Sequence, residues 1–501
     1  MKKIFFAGVI FLSVFSDAQK KSNPSNFATS INSEDLKTHL YIVAGKEMEG
    51  RLTATEGQRK AAAYIENHFK QLGLLPGNNG NYQMYYNVYI DSLIRTGIEV
   101  NDQRFELDKD FSVNVSSNVP STYRFSEIVF VSQGRSDSVN DDYGTTDVRG
   151  KAVMMFGNLV PKSGIRGGTS VSKVETARKK GAAAILFINS LSQNLTARKG
   201  NMYLQGFKRY IPPQQFYISN LVAQAIMGRA YDTAYNNSFP ARTFSANILL
   251  DFDKQMITVK SSNVLGLLEG TDLKDEYVFI TAHYDHLGKR GDSVIYYGAD
   301  DDGSGTVSIL EIAEAFTKAK KAGKGPRRSI VFMTVSGEEE GLWGSAYYTD
   351  HPVFPLEKTT VDLNIDMIGR IDPKRLLGDS TNYVYVVGDD KLSSDLRPIS
   401  EAMNKKYSKL ELDYKYNDPK DTERIYFRSD HYNFAKNGVP IIFYFNGTHR
   451  DYHRPTDTPD KINYNLLEKR ARFVFYTAWE MANRNDLLKR DIPLDTASPR
   501  R

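Results

Sequence analysis

The sequence predicts an α/β protein, with a mixed, mostly parallel sheet flanked by helices and a smaller β-rich insert. Three observations carry that prediction. Over the C-terminal half, apolar runs of strand length alternate with segments of helical period, as in buried parallel strands joined by helical crossovers. Polar clusters rich in His, Asp and Glu each follow or close one of those runs, at the strand ends where such sheets carry their reactive groups. Between residues 116 and 254 the alternation gives way to short β-type runs and Gly-rich turns. A chain of 501 residues has room for two or three domains, each with a full core.

Taken in order, Lys2-Lys3, the apolar run Ile4 to Phe15 and the end Ser16-Asp17-Ala18-Gln19 have the layout of a secretory signal peptide, residues 1–18, cleaved near Ala18. The run is shorter than the about 20 apolar residues a membrane span needs, and no cysteine follows it to take a lipid. Export to the periplasm or the exterior without a membrane anchor is therefore expected. Residues 19–32 are polar and read as a flexible lead-in. From Ala54 to Gln71 the apolar positions Ala62, Ile65, Phe69 and Leu72 recur at three- and four-residue steps, predicting a helix that stops at Gly73.

The main domain is expected at 33–115 and 255–490, the β-rich insert at 116–254, and a tail at 491–501. In the insert, a helix over Lys173 to Lys180 leads through Gly181 into the strand Ile185 to Ile188. Beyond it, Tyr277 to Ala282, Ser329 to Val335, Val361 to Met367 and Val439 to Phe445 are continuous apolar runs, as expected of strands buried on both faces. Residues 305–320 place Val307, Leu310, Ala313 and Phe316 on one helical face.

Composition narrows the chemistry. The chain has no cysteine, which excludes thiolate nucleophiles, Cys-ligated zinc and iron–sulfur clusters. With 65 basic and 60 acidic side chains, and no basic tail, nucleic acid is not an expected partner. The polar clusters are His283-Tyr-Asp285, Gly298-Ala-Asp-Asp-Asp-Gly-Ser-Gly305, Gly337-Glu-Glu-Glu-Gly341, Asn364-Ile-Asp366 and Tyr452-His453. Singly, each is a common surface or capping feature. Together they supply two imidazoles and several carboxylates, the N/O donors that a divalent metal needs, with acids left over for proton transfer. In an extended segment His283 and Asp285 point to the same side, so the carboxylate is placed to orient the ring.

The ordered set AHYDHLG, GADDDGSGT, SGEEEGLWGS, NIDMIGR and DYHRPTDTPDKI resembles the co-catalytic dizinc aminopeptidases of metallopeptidase family 28, a group that also contains glutamate carboxypeptidase II and the glutaminyl cyclases. The resemblance starts at MEGRLTATEGQRK and extends to about Arg484, and the segment around KKGAAAILFIN resembles a protease-associated domain. It implies a zinc-exopeptidase fold of the phosphorylase/hydrolase-like type and two Zn(2+) per subunit. His283 and Asp366 would hold one ion, Glu339 and His453 the other, and Asp301, two positions before Gly303-Ser304-Gly305, would bridge them. It further implies Glu338 as general base, Asp285 as the residue orienting His283, and Tyr452 as a hydroxyl on the oxyanion. The implied function is hydrolysis of N-terminal residues from peptides. A carboxypeptidase or dipeptidase of the glutamate carboxypeptidase type is the alternative, ahead of a glutaminyl cyclase or a non-catalytic receptor-like homologue. His286, His431 and His449 are expected to be structural or substrate-proximal, and His39, His68 and His351 to lie on the surface. Side-chain specificity and oligomeric state are not encoded in any motif.

Overall fold

The computed structural model describes residues 23–158, 169–189, 196–204, 211–237 and 239–494. The expected signal peptide and residues 495–501 of the tail lie outside them. The chain forms two compact units, residues 1–85 with 261–501, and residues 86–260.

In the first unit the strands run in the order Glu411–Asp413, Tyr383–Val387, Ile441–Phe445, Thr359–Ile365, Leu273–His283 and Arg328–Val335, followed by the last residues of the Arg242–Leu268 strand. The four from Ile441–Phe445 to Arg328–Val335 are mutually parallel; antiparallel pairs flank this block. Because side chains alternate across a strand, Val278, Ile280 and Ala282 face one core while Phe279 faces the other. The first core takes the buried faces of the helices Ser33–Val43, Glu56–Leu72, Gly305–Lys321 and Tyr464–Asn483. The second takes Tyr348 from the helix Trp343–Asp350 and Phe434 and Ala435 from His431–Lys436. Each large apolar side chain fully buried this way contributes roughly 1.5–3 kcal/mol. Glu56–Leu72 ends as its sequence predicts: Gly73 adopts φ 81°, and its N–H and that of Leu74 cap the carbonyls of Lys70 and Phe69. Since the central strands are parallel, His283, Glu338-Glu339 and Asp366 all emerge at one edge of the sheet.

The second unit has its own parallel strands, Ser121–Phe130, Ala152–Phe156, Ala184–Ile188 and Gln214–Ile218. The helix Ser170–Lys179 precedes Ala184–Ile188, close to its sequence prediction. This unit begins at Tyr86 and not at 116. The reason is packing: Ile98, Val100, Phe105, Phe111, Val113 and Val115 share a core with Ile128, Met154 and Leu186, and Phe111–Val113 pairs with Gln214–Ile218.

Other expectations are corrected by burial. Folding begins before Ser33: Ser25–Ala28 is helical, Ala28 and Ile31 are buried, and Arg472 Nε donates to both of their carbonyls. The tail is held through Asp491, which accepts from Ser394 N at 2.9 Å and Ser394 Oγ at 2.6 Å. His39 and His68 are half-buried, not superficial; His39 Nδ1 lies 2.7 Å from Tyr64 Oη and its Nε2 3.4 Å from Glu311. His351 is exposed as expected.

Candidate metal centre

The loop at Gly298–Ser304 determines which aspartate faces outward. Asp300 points into the protein, where Oδ1 accepts from Gly369 N at 2.6 Å and Oδ2 lies 3.1 Å from His449 Nε2. Asp302 Oδ1 accepts from the N–H groups of Gly305 and Met367 at 2.8 and 3.0 Å. Asp457 Oδ2 accepts from the main-chain N–H of both Asp300 and Asp301, at 3.0 and 3.2 Å. Asp301 alone turns its carboxylate to the pocket. Gly305 permits this turn, because a Cβ there would stand 2.3 Å from Asp302 Oδ2 and 2.5 Å from Ile365 O.

The two oxygens of Asp301 face two different groups. Oδ1 lies 3.3 Å from His283 Nε2, which is 3.6 Å from Asp366 Oδ1. Oδ2 lies 3.1 Å from His453 Nε2, which is 3.0 Å from Glu339 Oε2. His283, Asp301 and Asp366 are close enough to share one ion, as are His286, Asp301 and Glu339. The donors also fit a metal chemically: His283 Nε2, His286 Nδ1, Asp301 Oδ2 and Glu339 Oε1 are buried polar atoms without a hydrogen-bond partner.

Electrostatics within the cluster are strong. Burial opposes charge on Asp301, yet the imidazoles of His283 and His453 outweigh it and hold this carboxyl well below the usual carboxylate range. Burial likewise opposes charge on His453, but Asp301 and Glu339 raise it to about 10. Glu338 moves the other way: burial, with Glu339 and Asp366 nearby, raises it well above the usual carboxylate range against the pull of His283. Its Oε2 lies 3.9 Å from His283 Nε2. A carboxylate of raised proton affinity beside a donor cluster is what proton transfer near neutral pH requires.

Asp285 sits differently from its sequence expectation. The strand ends at His283, so Asp285 is no longer in extended register: His283 Nδ1 lies 3.7 Å from Asp285 Oδ1 and nearer, at 3.2 Å, to the Asp285 main-chain carbonyl oxygen. The carboxylate instead joins two other segments, accepting from Thr53 Oγ1 at 2.8 Å and Glu338 N at 3.2 Å. Tyr452 stacks on His453 at 3.8 Å between ring centroids, and its Oη accepts from Arg428 Nη2 at 3.1 Å. The pocket above these groups is lined by Asp301, Glu338, Asp366, Arg428 and Tyr452, with Met367, Ile425, Phe443 and Phe445 as its apolar wall.

All eight residues singled out from sequence thus lie in one part of the first unit. Asp300 and Asp302, which flank Asp301 in the same loop, are turned away and fully buried. Arg51, Thr53 and Asp457 have no motif signal of their own, whereas His286, expected to be structural or substrate-proximal, stands against Glu339. Arg51 and Thr53 belong to MEGRLTATEGQRK and Asp457 to DYHRPTDTPDKI, so their segments were visible while their contacts were not.

Residues 263–478 match peptidase family M28. The probable glutamate carboxypeptidase LAMP1 of Arabidopsis thaliana is 27% identical over 210 residues, 41% of this chain and 28% of that protein. Aminopeptidase YwaD of Bacillus subtilis (strain 168) is 26% identical over 287 residues, 52% of each. The chain thus spans about half or less of the length of these two relatives. BSAP, a zinc aminopeptidase from Bacillus subtilis whose structure is solved, superposes with a TM-score of 0.52 at 18% identity over 92% of this chain and 99% of that one. That likeness establishes a common fold.

Proposed function

We propose that this chain, whose residues 263–478 are a domain of peptidase family M28, is an exported exopeptidase that uses two zinc ions per subunit to remove N-terminal residues from peptides. The observation that carries the reading is the division of Asp301 between two donor groups, 3.3 Å from His283 and 3.1 Å from His453. His283 and Asp366 would hold one ion, Glu339 and His453 the other, and Asp301 both. Zinc in such a site supplies a Lewis acid and water acidified toward a pKa of about 7.

The side chains around it have separable tasks. Glu338 takes a proton from the attacking water and returns it to the leaving amine, a role supported by its place in the pocket wall, with Oε2 3.9 Å from His283 Nε2. Tyr452 accepts from Arg428 and so retains its own proton for the oxyanion. Asp285 acts more through Thr53 and the main chain of Glu338 than through the His283 ring. We read residues 86–260 as a protease-associated insert, on the strength of the helix Ser170–Lys179 leading into the strand Ala184–Ile188. Export rests on the first 18 residues of the sequence; among the described residues no helix is long and apolar enough to cross a membrane.

The relatives include both an aminopeptidase and a probable glutamate carboxypeptidase, so cleavage at a C-terminal acidic residue is the second reading. A panel of aminoacyl-, dipeptidyl- and C-terminal glutamyl peptides, with chelator and zinc add-back, tests both. Zinc-dependent release of single N-terminal residues is expected. Release of C-terminal glutamate alone would replace the first reading with the second, and turnover indifferent to chelator would overturn both.

A further inference from the structure

His286 lies beside the site but has no place in the ligand set above. It is wholly buried, and its main-chain N–H donates to Arg51 O at 3.2 Å. One side of its ring rests on Gly298, where a Cβ would come within 2.5 Å of His286 Cγ. Its Nδ1 lies 2.7 Å from Glu339 Oε1 and 3.9 Å from Asp301 Oδ2, and its ring meets that of His453 edge-on at 6.0 Å.

The distances separate a ligand from a support. Bonds of about 2.0–2.2 Å at tetrahedral angles place two ligand atoms of one zinc about 3.3–3.6 Å apart. His453 Nε2, at 3.0 and 3.1 Å from Glu339 Oε2 and Asp301 Oδ2, stands near such an edge with both. His286 Nδ1, at 2.7 Å from Glu339 Oε1 and 3.9 Å from Asp301 Oδ2, departs further from such an edge than His453 does, although His286, Asp301 and Glu339 together lie close enough to share an ion. Its 2.7 Å approach is of hydrogen-bond length, although the pair does not meet hydrogen-bond geometry, and neither atom has a partner elsewhere. Glu339 is therefore divided, with Oε1 toward His286 and Oε2 toward His453.

We propose that His286 is a positioning residue for the second ion: through Nδ1 it holds Glu339 by Oε1 and leaves Oε2 as the single oxygen offered beside His453 and Asp301. This rests on the reading that Asp301, Glu339 and His453 hold an ion. Partners behind a metal ligand typically change metal affinity by 10–100-fold.

The test uses the full chain stripped of metal, with zinc binding followed by competition against a chromophoric chelator. His286→Leu, which removes the donor and keeps the volume, should weaken one of the two zinc equivalents by about 10–100-fold and leave the other nearly unchanged. His286→Gln, which restores a donor at similar reach, should recover most of that loss. Wild-type affinity for both equivalents in His286→Leu would overturn the proposal. So would loss of a nitrogen ligand by X-ray absorption with no recovery in His286→Gln, which would make His286 a ligand. Should His286→Leu fail to fold, nitrogen NMR of the metal-free wild type decides: a protonated Nδ1 is expected, and an unprotonated one refutes the role. Wild-type protein that binds fewer than two zinc ions would instead overturn the two-ion site itself.

Discussion

Arg51 offers the sharpest test of how the site is assembled. Its guanidinium is fully buried and donates to four main-chain carbonyls: Nε to Tyr284 at 2.6 Å, Nη1 to Val43 and Tyr297 at 2.8 Å each, and Nη2 to Gly298 at 2.9 Å. Tyr284 lies between His283 and Asp285, and Gly298 opens the loop that carries Asp301, so one side chain ties both donor segments to the N-terminal part of the chain. Burial lowers the guanidinium to about 10, with Asp285, Asp302, Asp301 and Asp457 holding it up, so it remains charged at neutral pH. Hydrogen bonds to a charged donor are worth about 1.5–3 kcal/mol each. Bonds sharing one donor are not additive, and halving the sum gives about 3–6 kcal/mol for Arg51→Met, which retains much of the apolar stem. That is a large share of the 5–15 kcal/mol typical of a folded domain. Both tryptophans, Trp343 and Trp479, lie in the first unit, so urea unfolding followed by tryptophan fluorescence reports that unit. Arg51→Met should lose about 3–6 kcal/mol and bind zinc at least about tenfold more weakly. A loss below about 1 kcal/mol with unchanged zinc affinity would refute the view that this clamp holds the two loops in place.

Three further outcomes are expected. Glu338→Gln should retain two equivalents of zinc by elemental analysis and lose about 10²–10⁴ in kcat; near-normal turnover would remove Glu338 from proton transfer. Asp301→Ala should lose bound zinc altogether, and two tightly held equivalents in that variant would exclude a bridging role. His431, stacked on Phe443, is pushed down to about 3 by burial, against its hydrogen bond to Tyr426 O. Because the unfolded chain takes up this proton below about 6.5 and the folded chain does not until about 3, its contribution to stability is complete above about 6.5. It is then lost on acidification, at up to about 1.4 kcal/mol per pH unit. Metal-free His431→Gln should therefore be less pH-sensitive than wild type between pH 7 and about 4.5 in urea midpoints, whereas parallel curves would exclude this origin.

Much of this protein is determined by local pattern. The strands Leu273–His283, Arg328–Val335, Thr359–Ile365 and Ile441–Phe445 contain the apolar runs read from sequence, because a strand covered on both faces is apolar at most positions; the buried exceptions, such as Asp362 and Asn364, are hydrogen-bonded. The helix Glu56–Leu72 follows its period and its terminal glycine. The clusters His283, Asp301, Glu338-Glu339, Asp366 and His453 could be named because parallel strands end at one edge and spacing survives in sequence. What local pattern did not determine was set by contacts between distant segments. Asp301 faces the pocket because Asp457, 156 residues away, holds its main chain. Asp285 turns to Thr53, 232 residues away, and His286 becomes a neighbour of Glu339 once two strand ends lie side by side. The second unit starts at Tyr86 because strands Gln83–Val100 and Phe111–Val113 bury their apolar residues in a core that no short window of sequence contains. Residue type and spacing specify which groups are present at the site; burial and long-range hydrogen bonds decide which of their atoms face one another.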